Sequence, residues 1–212
     1  MEDLIDVIRP YVDRLETDDN HRYYSWEHCY NAFGESEEYD VDHLSLHMAF
    51  YLASWGMYRG SSGLLWKDFR IHKNAIVVLK SHCKIRDEDV YQESYLASVF
   101  EIYEKLERIY LMEYLTSQGE NREFKPTETL ITKILLGSLA CLPAIDRNFR
   151  QGWGIKTNKL GKNRFVEIFD VVRTHKEQID EAQKYISERI GKYYPVMKIV
   201  DMYYWQKGLY VK

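Results

Sequence analysis

With 212 residues and 45% hydrophobic content, the chain can build one large domain or two lobes around a shared core. A net charge of −4 and a pI near 6.0 argue against a general nucleic-acid coat protein, and no apolar run reaches the length of a membrane span. The charge is uneven, however: residues 1–50 hold 13 Asp/Glu against three Lys/Arg, while residues 51–212 hold 26 basic against 20 acidic, so one face can repel DNA while another attracts it.

The opening Met1-Glu-Asp-Leu-Ile-Asp6 lacks the basic and apolar regions of a secretory signal, so a cytoplasmic protein is expected. Leu4, Ile5, Ile8 and Val12 share one helix face, with Pro10 expected to bend or divide that segment. After a polar loop at Thr17–Arg22, Ser25 is the expected N-cap of a helix that Gly34 ends. The next element starts at Val41 or Asp42. Leu44 to Trp55 is apolar nearly all round, which predicts a helix buried on most sides at the centre of the core. It runs into Gly56-Met-Tyr-Arg-Gly-Ser-Ser-Gly63, a small-residue turn bearing Arg59. Backbone N–H groups can approach a ligand at such a turn, although the spacing matches neither a P-loop nor a dinucleotide fingerprint.

Ile76–Lys80 suits a short strand by propensity, but its helical surroundings favour helix. Leu96, Val99, Phe100, Tyr103, Leu106, Ile109, Tyr110 and Tyr114 predict an amphipathic helix of about five turns. Gln118–Lys125 reads as a polar connector. It divides the chain into lobes 1–120 and 121–212 if the single helical domain 1–212 is split at all. An apolar helix from Thr129 then leads through a Pro-marked turn to Asp146, which opens the next helix. Phe165–Ile190 predicts one long polar helix ended by Gly191, and Pro195 to Gly208 a final aromatic-rich helix. The fold class is all-α, a compact multi-helix domain.

Asp146 is the foremost candidate for chemistry. Asp is also a favoured N-cap, and capping alone would account for it. Its company argues for more: Arg147, Arg150, Lys156, Lys159, Lys162 and Arg164 follow with no acidic residue up to Val166, interleaved with Asn and Gly, a pattern able to track a phosphate backbone. The chain also holds 18 Tyr, 8 Phe and 5 Trp. Most fill the core, but a few could stack on an extruded base. Cys29, Cys83 and Cys141 are widely spaced, fit no zinc pattern and are read as reduced. His43 and His47 share a helix face near His28 or Cys29, yet no His-Glu-x-x-His pattern accompanies them, and no metal is expected.

The unit Thr129–Phe149, an apolar helix delivering a carboxylate through a short turn, resembles helix-hairpin-helix DNA glycosylases. With Ser25-Trp-Glu-His-Cys-Tyr30, Leu44–Ser62 and Tyr194–Gln206, the chain is similar to a little-characterised bacterial family that looks like remote glycosylases, among them a small phage-defence glycosylase removing glucosylated hydroxymethylcytosine from phage DNA. The resemblance implies a monofunctional N-glycosylase without cofactor, acting on modified phage DNA away from any membrane. Asp146 would stabilise the oxocarbenium-like sugar and activate water. Lys125, Lys133, Arg147, Arg150, Lys156 and Lys159 would hold DNA, and Trp26, Glu27, His28, Trp55, Arg59 and Trp205 would form the base pocket. The chain departs from the pattern at Phe124–Thr129, where the glycosylases carry Gly-x-Gly and this sequence has no glycine. The competing readings are a non-catalytic helical adaptor of a bacterial defence system, with Asp146 only a cap, and a metal-dependent hydrolase built on His28, His43 and His47.

Overall fold

Leu4, Ile8, Tyr11, Val12 and Leu15 form the buried stripe of helix α1 (Leu4–Thr17). The computed structural model describes residues 1, 3–35, 38–59, 62–155 and 161–210, leaving aside the side chains of Lys162 and Asn163. Pro10 stands inside α1 without dividing it. The hydrogen bond it removes would have gone to the carbonyl of Asp6, an exposed residue whose backbone water can satisfy.

Helix α2 (Tyr24–Gly34) begins two residues earlier than expected, with Tyr23 at the N-cap. Ser25 is therefore not the cap: it is buried inside the helix, and its Oγ accepts from the indole N–H of Trp55 at 3.1 Å. Helix α3 (Val41–Ser54) is capped by Asp40, whose carboxylate accepts from the backbone of Asp42 and His43. Leu44, Met48, Tyr51 and Leu52 point into the core, but Leu46 and Phe50 are half exposed or more, so α3 is less enclosed than its composition predicts. Short 3-10 turns at Gly63–Trp66, Phe69–His72 and Cys83–Arg86 surround α4 (Lys73–Ser81), where Ile76–Lys80 is helical.

Helix α5 (Glu93–Tyr110) stops short of Tyr114. The supposed polar connector is instead an antiparallel β-hairpin of β1 (Met112–Leu115) and β2 (Asn121–Phe124), with Met112 opposite Phe124 and Tyr114 opposite Arg122. Its turn carries Gly119 at φ 77°, a conformation that only glycine adopts cheaply. The hairpin packs on the Gly63–Trp66 turn, where a Cβ on Gly63 would stand 2.5 Å from the Phe124 ring.

The second half adds α6 (Glu128–Ser138), α7 (Arg147–Trp153), α8 (Lys162–Thr174), α9 (Lys176–Ile190) and α10 (Val196–Leu209). The single polar helix expected over 165–190 breaks at His175, because its two halves bury their stripes against different partners. Phe165 of α8 packs on Phe100 and Tyr103 of α5, while α9 lies against α1. Helix α10 is buried on nearly every side and contacts α1, α7 and α9. Gly208 does not end it. A Cβ at Gly208 would lie 1.8 Å from the Asn148 carbonyl oxygen, and one at Gly152 would lie 1.8 Å from that of Tyr204, so the two glycines let α7 and α10 cross backbone to backbone. The architecture is all-α with one short β-hairpin. Among the described residues no helix is long and apolar enough to cross a membrane.

Candidate active site around Asp146

Three helix ends build the site. Helix α3 closes with Gly56 at φ 74°, the Met57 N–H bonding the Leu52 carbonyl and the Gly56 N–H that of Ala53. This glycine-dependent stop reverses the chain directly after Trp55 and sends Met57 and Arg59 along one wall of a cleft. On the opposite wall, Thr127 caps α6 by accepting from the Leu130 N–H, and Asp146 caps α7 by accepting from the Phe149 N–H at 3.0 Å.

The α6–α7 connector, Leu139–Ile145, is buried throughout, so its backbone groups need partners other than water. Side chains supply them. Thr132 accepts from the Ile145 N–H, Thr129 and Arg150 donate to the Ile145 carbonyl, and Asp201 on α10 accepts from the Ala144 N–H. Ala140 bends the connector at φ 49°. Asp146 is thus held from three helices.

The cleft encloses about 370 Å³ and is lined by Trp55, Met57, Arg59, Glu128, Lys133, Asp146, Arg147, Asn148 and Arg150 among others. Lys133, 3% exposed, donates to Asp146 Oδ2 at 3.2 Å and lies 5.0 Å from the centre of the Trp55 indole. The Asp146 side chain keeps 17% of its surface open to the cleft. Its carboxylate already accepts from Phe149 and Lys133, yet two oxygens offer about four lone-pair sites, so it retains capacity for a further partner.

Behind the cleft lies a second ion pair that the sequence reading missed. Lys198 donates to Asp201 at 3.0 Å in the core of α10, with the Tyr11 and Trp26 rings each 5.0 Å from its ammonium. Burial pushes the Asp201 carboxyl up, and Asp146 adds to that push; burial likewise lowers the Lys198 ammonium, Lys133 contributing in the same direction. The charges of the second pair thus lie close enough to the first for each to bear on the other. The only sequence signal of the second pair is a Lys and an Asp three apart on an otherwise apolar helix.

Six residues singled out from sequence, Asp146, Lys133, Arg147, Arg150, Trp55 and Arg59, meet in this cleft. Arg150 also braces the connector through the Ile145 carbonyl. Lys125 sits on the adjoining β-hairpin rim, paired with Glu123 at 3.0 Å. Lys156 and Lys159 lie outside the described residues. Trp205 is buried behind Trp55, edge to face at 5.6 Å. Trp26 and Glu27 line a different cleft: the Trp26 indole N–H donates to the Leu136 carbonyl, and the buried Glu27 accepts from Lys192 and Tyr194. His28 is exposed. The His43 and His47 rings meet edge to face at 4.5 Å, and burial lowers His47, with His43 and His28 adding to the effect. Among the described residues no group of three or more His, Cys, Asp or Glu side chains is placed to hold a metal ion. No known family, characterised protein or solved structure compared with the chain matches it.

Proposed function

We propose that the chain is a DNA N-glycosylase that excises a modified base, of the kind carried by glucosylated hydroxymethylcytosine phage DNA, with Asp146 at its centre. The observation that carries the reading is the cleft in which Asp146 pairs with Lys133, whose ammonium faces the Trp55 ring, with Arg59, Arg147 and Arg150 in the same lining. Departure of a base leaves positive charge on the deoxyribose, and a carboxylate already in place stabilises that state while accepting a proton from attacking water. Lys133 and the Phe149 N–H fix the carboxylate's orientation, and the rim arginines suit flanking phosphates. On this reading the α6–α7 unit is a remote counterpart of the glycosylase helix-hairpin-helix. On the same reading, the amides of the helix N-terminus capped by Thr127 would take the place of the missing Gly-x-Gly at a phosphate.

A second reading has its own observation. Lys133 brings an amine to within 3.2 Å of the carboxylate. If base release leaves an abasic sugar there, Lys133, having passed its extra proton to Asp146, condenses with the ring-opened C1′ aldehyde, losing water to form an imine. Incubation with glucosylated phage DNA and with unmodified DNA, with and without borohydride, tests both. Alkali-labile sites on modified DNA without a borohydride-trapped adduct support the monofunctional enzyme, and a trapped adduct lost in Lys133→Met supports the lyase. Intact DNA in every lane overturns both and favours a non-catalytic adaptor.

A further inference from the structure

A second cavity of about 340 Å³ adjoins the Asp146 cleft, and Met57, Arg59 and Thr127 line both. The two compartments differ in chemistry. The first presents cations and the carboxylate, whereas the second is walled by Tyr114, Phe124 and Leu130, with Glu123, Lys125 and Ser62 at its polar edge. Tyr114 and Phe124 belong to the same face of the β-hairpin, since Met112, on Tyr114's face of β1, pairs with Phe124. Phe124 is buried and Tyr114 half-buried, so the Tyr114 ring keeps surface to offer a ligand.

We propose that the β-hairpin compartment is the specificity pocket, receiving the extruded nucleobase while its sugar rests against Asp146. This deepens the glycosylase reading and rests on it. Aromatic walls offer the stacking that replaces a base's lost neighbours, and sites of this size hold small planar ligands. At the polar edge, the Arg59 guanidinium suits a carbonyl such as that of cytosine. The other aromatic cleft, at Trp26 and Glu27, shares no lining residue with the Asp146 site, and its carboxylate and indole N–H already have partners.

The test measures equilibrium binding in an Asp146→Asn background, which prevents turnover. Two duplexes serve as probes: one carries a single glucosylated 5-hydroxymethylcytosine, and the other a tetrahydrofuran abasic analogue at the same position. Tyr114→Ala should weaken binding of the first by about five- to a hundredfold, the range of one lost stacking partner, and leave the second unchanged. Tyr114→Phe, which keeps the ring, should bind both as the parent does. Equal effects on the two duplexes, or none, overturn the pocket assignment while leaving the glycosylase reading intact. Failure of the parent protein to bind either duplex overturns both.

Discussion

Replacing Gly208 by Ala tests the helix crossing that sets the candidate site in place. The new Cβ would sit 1.8 Å from the Asn148 carbonyl oxygen, against a practical floor of 3.0 Å, and backbone cannot swing aside as a side chain can. Helices α7 and α10 must therefore separate by about 1.2 Å, which opens space along their whole contact. Overpacking of this kind costs about 3 kcal/mol or more, from which the better helix propensity of Ala recovers about 1 kcal/mol. A net loss of about 2–3 kcal/mol lowers Tm by about 5–10 °C in a chain of this size. Because Asn148 is two residues from Asp146, base release should fall as well. Thermal unfolding followed by circular dichroism is the assay. An unchanged or raised Tm, as expected for Gly→Ala on an open helix face, would refute the backbone crossing.

Asp146→Asn keeps the cap on α7 but leaves the Lys133 ammonium buried without its counter-charge, and should cost about 1–3 kcal/mol in urea denaturation. The added change Lys133→Met should recover most of that loss, and purely additive costs would show that the pair is not coupled. His72 lies wholly buried between the hydroxyls of Tyr58 and Tyr110, and burial pushes its pKa down to about 3. Its folded value is thus below its unfolded value of 6.5, so the unfolded chain binds the extra proton between these limits and stability falls as pH drops through that window. The slope reaches about 1.4 kcal/mol per pH unit, and His72→Gln should flatten it between pH 4 and 6; an identical slope would remove His72 as its source. Cys29 and Cys141 are buried, with their thiols pushed up by burial, whereas Cys83 is partly open. Native protein should therefore give one fast-reacting thiol with a disulfide reagent and three after denaturation. Three fast thiols in the native state would contradict the packing.

Local chemistry made part of this structure readable from sequence. Asp146 as a cap, the Gly56 turn after Trp55, and the apolar α6 each follow from residues within one or two turns of each other. What escaped depends on partners far along the chain. Lys133 and Asp146 are 13 apart, and nothing in that spacing states that one donates to the other. The β-hairpin was hidden because Tyr114 continues the three- and four-residue rhythm of α5, although Met112 and Tyr114 equally fit a strand of period two. Gly208 looked like a helix stop, since the same residue serves for ending a helix and for letting two backbones touch. Glu27 and Trp26 looked like site residues because aromatic and acidic neighbours are common to both pockets and cores, and only the fold reveals that Lys192 and Tyr194 already satisfy the carboxylate.

The most direct test of the central claim is mass-spectrometric detection of free base after incubating glucosylated phage DNA with the parent protein and with a folded, DNA-binding Asp146→Asn variant. Release by the parent is expected, with a loss of at least about a hundredfold in the variant. Equal release by both would remove Asp146 from the chemistry, and no release by the parent would contradict the proposed activity itself.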